Sequence, residues 1–236
     1  FLKIGDTTFI EESVKPFLKW SKRINLIYFI FLREQEINYE VSKNLKKIFK
    51  KIKFKNIILD NPTSGPVETI SKAIFLNKKK LFPSIFCDCD HSINIDKIFL
   101  DKMDLNSDIC FPIWKIKKKE IKTWSVISLN KQNKIIDISE KKQPEKKGNF
   151  RGVIGCYYFK NPLQFITYSK KTFVSEIIKK NINKNKKILF YIPDKVSFFG
   201  DPDRLKNESL KRGIYIGSIF IDIDGTLILH ENKPNY

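Results

Sequence analysis

The first hundred residues alternate in a way that leaves few folds open. A continuous apolar run over 24–32 reads as a fully buried strand, and an amphipathic stretch over 38–50 follows it, with Val41, Leu45, Ile48 and Phe49 on one face. A second strand over 55–59 leads through the turn 60–65 to a helix over 66–76, where Pro66 suits the first helical position. A third apolar run ends at Cys87. Strict alternation of this kind implies parallel βαβ units and an α/β architecture. Ahead of it, Thr7 or Thr8 caps a helix with Glu11 and Glu12 in its first turn and Phe9, Ile10, Val14, Phe17 and Leu18 on its buried stripe.

The pattern changes after residue 106. Strands are predicted over 107–116, 124–129, 134–139 and 152–159, the second and third joined by the turn 130–133. A helix over 173–183, a strand over 188–192 and a short helix ending at Lys211 complete this body. The chain has 236 residues, long enough for one large domain or two small ones.

Charge and cysteine content narrow the function classes. The formal charge of +19 invites a nucleic-acid reading, but the excess is lysine spread along the whole chain beside abundant Ile, Asn and Phe. The arginines are Arg23, Arg33, Arg151, Arg204 and Arg212, which form no arginine-rich reading element, so no specific nucleic-acid partner is expected. Cys87, Cys89, Cys110 and Cys156 lack paired zinc-ligand spacing and are expected as reduced thiols, Cys87 and Cys89 facing the packed side of their strand. The longest apolar stretch is too short to span a bilayer, and Phe1-Leu-Lys-Ile-Gly-Asp6 is no secretory leader. No membrane partner is expected, and the expected location is cytoplasmic.

The run Ile85-Phe-Cys-Asp88-Cys-Asp90 ends a strand in two carboxylates one residue apart. In a persisting strand both point the same way. At about 5 Å they would repel by roughly 3 kcal/mol at an effective dielectric near 20. A hard cation, Mg2+ or Mn2+, would relieve that repulsion at the carboxyl end of an α/β strand, where such sheets bind ligands. The other reading is a solvated loop in which Asp90 caps the next helix.

Six pieces in order carry a family resemblance over residues 1–211. Leu2-Lys-Ile-Gly-Asp-Thr-Thr-Phe-Ile10 is similar to the segment after the first catalytic loop of the sugar-phosphate nucleotidyltransferases. Gly65-Pro-Val-Glu68-Thr resembles their helix start at the nucleotide, and Asp90 their metal aspartate. Glu140-Lys141-Lys142 resembles E-K-P, residues 152–159 the G-x-Y-x-F strand, and Phe199-Gly-Asp-Pro-Asp-Arg-Leu205 the closing G-T-P-E-D-L. The resemblance implies a Rossmann-like GT-A fold, a mixed, mostly parallel sheet with helices on both faces. It implies transfer of a nucleoside monophosphate from a nucleoside triphosphate to a sugar 1-phosphate, with pyrophosphate released, as in capsule or surface polysaccharide biosynthesis. The implied nucleotide-binding residues are Gly65, Glu68 and Asp88; the implied substrate-binding residues are Glu140, Lys141 and Gly155. Asp90 and Asp88 would hold the metal, and Asp90 and Lys141 would be catalytic.

The chain departs from the family where the glycine-rich loop would precede Phe1, where Phe198 replaces the second metal aspartate, and at Lys142. The polypeptide as given is therefore expected to be inactive and the full-length protein an enzyme. Ile219-Phe-Ile-Asp222-Ile-Asp224-Gly-Thr226 resembles motif one of the haloacid-dehalogenase-like phosphatases, with Asp222 as nucleophile and Asp224 as acid/base. Residues 1–211 are thus expected as one domain and 212–236 as the first strand of a second. Two other readings stand beside this one: a GT-A glycosyltransferase using D-x-D, and a degenerate nucleotide-binding module.

Overall fold

The computed structural model of the chain describes residues 2–77, 83–104, 107–167 and 172–214. A hairpin of β1 (Lys3–Ile4) and β2 (Thr7–Thr8) leads into α1 (Phe9–Leu18). Thr8 caps that helix as expected: its hydroxyl accepts from Glu11 N, and the Glu11 carboxylate accepts from Thr8 N at 2.7 Å. Then come β3 (Ile27–Leu32), α2 (Arg33–Tyr39), α3 (Val41–Ile48), β4 (Phe54–Leu59) and α4 (Pro66–Asn77). The helix expected over 38–50 is broken at Glu40, which is left-handed at φ 45°. The break re-aims α3, so that Leu45 and, just past it, Phe49 pack on Phe29 of β3, with the Phe29 and Phe49 rings 5.2 Å apart.

The chain continues through β5 (Ser84–Cys87), β6 (His91–Ile93), α5 (Lys97–Asp104), β7 (Ile109–Trp114), β8 (Ser125–Leu129) and β9 (Ile135–Glu140). It ends with β10 (Asn149–Val153), β11 (Cys156–Phe159), α6 (Val174–Asn183), β12 (Ile188–Tyr191), β13 (Val196–Phe198) and α7 (Pro202–Lys211). The large sheet runs β5-β11-β7-β10-β8-β9, with β12 added on β7. Among the described residues, β3–β4 and β7–β12 pair in parallel and the other neighbours of the large sheet are antiparallel. The α/β class is as expected. Among the described residues the large sheet is mixed but mostly antiparallel, not mostly parallel as expected, because strands β8 to β11 follow one another without crossover helices.

Helices cover both faces. Val67, Ile70 and Ile74 of α4 and Val174, Ile177 and Ile178 of α6 pack with Phe111, Ile127 and Phe159 on one side. On the other, Phe99 and Leu100 of α5 and partly buried Phe17 of α1 pack with Cys110, Cys156 and Tyr191. Each fully buried Phe or Ile contributes about 1.5–3 kcal/mol relative to exposure. No described helix is long and apolar enough to cross a membrane.

One irregularity positions the site. The strand expected over 152–159 is interrupted at Ile154–Gly155; β7 stays its neighbour on one edge, and the neighbour on the other edge changes. Before the break β10 pairs with β8, with Gly152 opposite Val126; after it β11 pairs with β5, with Cys156 opposite Cys87. The sheet therefore splits between the end of β5 and the start of β8.

Candidate active site

A cleft of about 280 Å³ opens at that split. Asp88 comes from the end of β5, Trp124 and Ser125 from the start of β8, Glu140 and Lys141 from the end of β9, and Gly155 from the strand break. Phe86, Tyr157 and Phe173 supply aromatic wall. A second hollow of about 350 Å³, along Asp60 and Phe75, contains none of the residues expected to act.

Asp88 lies on the floor. Its amide donates to Gly155 O at 2.8 Å, and its carboxylate is pressed on the Gly155 Cα so closely that any side chain there would collide with it. Solvent reaches Asp88 through the cleft although protein surrounds it on most sides. Burial, helped by the Asp90 charge, pushes its carboxyl up to about 6.

Asp90 stands apart. The strand ends at Cys87, so strand geometry does not set how the two carboxylates face: Asp88 lies against Gly155 and Asp90 against Gly200. The Cys87 sulfur turns to the packed side as expected, 3.7 Å from the buried His91 Nε2, whereas Cys89, past the strand end, is exposed. Asp90 lies against Gly200, and its backbone oxygen accepts from Phe199 N at 3.0 Å. His91 Nδ1, on a ring buried to 3% exposure, donates to Asp90 Oδ1 at 3.3 Å. That bond holds the Asp90 carboxyl below the usual aspartate range. Burial alone would depress the imidazole; Asp90 and the Cys87 sulfur, 3.7 Å from Nε2, outweigh it and push His91 up to about 10. The helix cap considered for Asp90 falls instead to Asp96, whose Oδ1 accepts from Phe99 N at 3.1 Å.

Glu140 Oε2 accepts from the Ser125 hydroxyl and, at 3.0 Å, from the Ser175 hydroxyl. Burial and the nearby Asp88 and Glu140 carboxylates push the Tyr157 phenol well up, so it stays a donor. Lys141 is left-handed at φ 50°, its amide donates to Trp124 O at 2.9 Å, and its ammonium has no partner among the described residues. Gly65 has φ 154° and open space where a side chain would begin, next to the cleft-lining Pro66. Glu68 points its carboxylate back at the turn. It accepts from Ser64 N and Oγ at 2.8 and 2.7 Å and pairs with Lys72 at 3.0 Å, and the Ser64 bonds hold it at about 2.

The structure thus brings Asp88, Glu140, Lys141 and Gly155 together, leaves Asp90 beside them, and turns the Glu68 carboxylate to the loop. Asp222 and Asp224 lie outside the described residues. Trp124, Ser125 and Tyr157 line the cleft without having been singled out from the sequence; only their places next to predicted strand ends could have flagged them.

No family model matches the chain, and no curated protein matches it in sequence. Solved structures do match its fold. A protein of Bacillus anthracis assigned as a glucose-1-phosphate thymidylyltransferase and crystallised with sucrose superposes with a TM-score of 0.72 at 15% identity, over 92% of this chain and 87% of that one. A UDP-glucose pyrophosphorylase in complex with UDP-glucose gives 0.70 at 16% identity, covering 90% and 89%. The nucleoside-diphosphate-sugar pyrophosphorylase of Vibrio cholerae RC9 gives 0.68 at 17%, covering 89% and 90%. At these identities the likeness is one of fold: α/β, Rossmann-like.

Proposed function

We propose that the cleft carries out nucleotidyl transfer. An oxygen of a sugar 1-phosphate attacks the α-phosphorus of a nucleoside triphosphate in line, the bond to the β-phosphate oxygen breaks, and pyrophosphate leaves. The convergence of Asp88, Glu140, Lys141 and Gly155 from separate elements on one cleft carries this reading, and the fold shared with sugar-nucleotide enzymes supports it. Lys141 meets the acceptor phosphate as a compact charge. Glu140, steadied by Ser125 and Ser175, keeps Oε1 for sugar hydroxyls. The open backbone at Gly65 admits a base.

Among the described residues no three ligating side chains gather into a cage. Asp88 and Asp90 still suit a small hard ion that keeps its waters and shares a substrate's phosphates, the usual way Mg2+ is held. When bound, Mg2+ or Mn2+ on Asp90 and Asp88 would neutralise charge on the phosphate oxygens. The Asp222-Ile-Asp224-Gly-Thr stretch enters the same reading as the start of a phosphatase-like segment, checked by p-nitrophenyl phosphate turnover lost in Asp222→Asn.

The test is pyrophosphate release by the full-length protein, with each triphosphate against a panel of sugar 1-phosphates. Asp90→Ala and Lys141→Gln are expected to lower kcat/KM about 100-fold or more, about 2.7 kcal/mol of transition-state stabilisation, while circular dichroism is unchanged. Transfer from a preformed nucleotide sugar with no pyrophosphate released would overturn the assignment in favour of glycosyl transfer.

A further inference from the structure

We propose that Arg204 binds a phosphate oxyanion beside this cleft, held in place on the ring of the cleft-lining Trp124. The proposal rests on reading the cleft as a phosphate site and adds a residue to it. Arg204 lies in the first turn of α7, with its guanidinium carbon 4.5 Å from the centre of the Trp124 ring and 5.8 Å from that of Phe198. The Trp124 ring in turn packs on Trp114 at 5.1 Å and on Phe198 at 4.9 Å, so the platform under the guanidinium is fixed.

A planar cation over a ring face sends its N–H bonds sideways. The Nε edge is taken: it pairs with Asp201 Oδ2 at 3.1 Å. The two terminal nitrogens have no acceptor among the described residues, although the side chain is only 30% exposed. An oriented, half-buried fork without a protein acceptor is preorganised for a bidentate oxyanion.

Trp124 ties Arg204 to the cleft: it lines the cleft beside Lys141, whose amide donates to its backbone oxygen, while Arg204 covers its ring.

The probe is inorganic pyrophosphate with EDTA present, followed by titration calorimetry. Wild type is expected to bind, Arg204→Gln to bind at least about tenfold more weakly, and Arg204→Lys to fall between, because lysine keeps the charge and loses the fork. Asp201→Asn breaks the same ion pair but leaves the guanidinium in place, and is expected to stay within about twofold of wild type. Wild-type affinity in Arg204→Gln overturns the proposal. So does an equal loss in Asp201→Asn, which would make the residue structural. Absence of pyrophosphate binding by wild type also overturns it, whereas triphosphate-dependent pyrophosphate release by the same protein would leave the transferase reading standing.

Discussion

The two ends of the 88–90 turn make an instructive pair. Asp88 and Asp90 are one residue apart, and each is pressed against a glycine Cα, Gly155 for one and Gly200 for the other. Their environments drive them in opposite directions. Asp88 has burial and a like charge against ionisation, whereas Asp90 has a buried imidazolium in its favour. Two carboxylates set apart in this way are what an active site needs when one must stay charged and the other must respond to what binds.

The largest effect expected from breaking this pair is steric. A Cβ at Gly155 would lie within 1.9 Å of Asp88 Oδ2, and one at Gly200 within 2.3 Å of Asp90 Oδ2. Gly155→Ala and Gly200→Ala are each expected to destabilise by about 1–3 kcal/mol in urea unfolding. Adding Asp88→Ala should restore most of the loss in the first variant and none in the second. Equal rescue of both would show that the two contacts are not separate.

Next comes the charge on Asp90. Its lowered carboxyl contributes stability that is present above the usual aspartate range and lost as pH falls through the depressed value. At pH 7, Asp90→Asn should destabilise by about 1 kcal/mol, a figure reduced for a side chain 57% exposed. His91, raised to about 10, contributes stability that is complete below the ordinary histidine range and lost as pH rises through about 10. NMR should find its ring protonated at pH 8 in wild type and titrating lower in Asp90→Asn.

Asp88 gives the smallest effect, with the opposite sign. Its raised carboxyl favours the fold below the ordinary aspartate range, and that benefit is lost as pH rises through about 6. Asp88→Asn should therefore be more stable than wild type at pH 7.5, by about 1 kcal/mol or less since solvent reaches the group, and equal to it near pH 4. Melting temperatures at the two pH values check this. Destabilisation at pH 7.5 would contradict the split.

Local signals were legible where the chemistry is local. The Thr8–Glu11 cap, the helix starting at Pro66 and the strand ends carrying Ser125 and Glu140 need only neighbours in sequence. The grouping of Glu140, Lys141 and Gly155 was legible through motif order. The break at Glu40 was not, because helical periodicity runs through it and only packing of Leu45 and Phe49 on Phe29 favours the turn. Nor was Arg204, one of five arginines in a lysine-rich chain, distinguished only by the ring it lies on.

The amino-acid order alone determined the alternation of apolar and amphipathic segments, and hence the α/β class, because burial periodicity is a property of neighbours along the chain. It also placed two aspartates at a strand end. Which way those aspartates face was decided by tertiary structure. The strand stops at Cys87, β10–β11 changes one neighbour at Gly155, and each carboxylate settles against whichever glycine leaves it room.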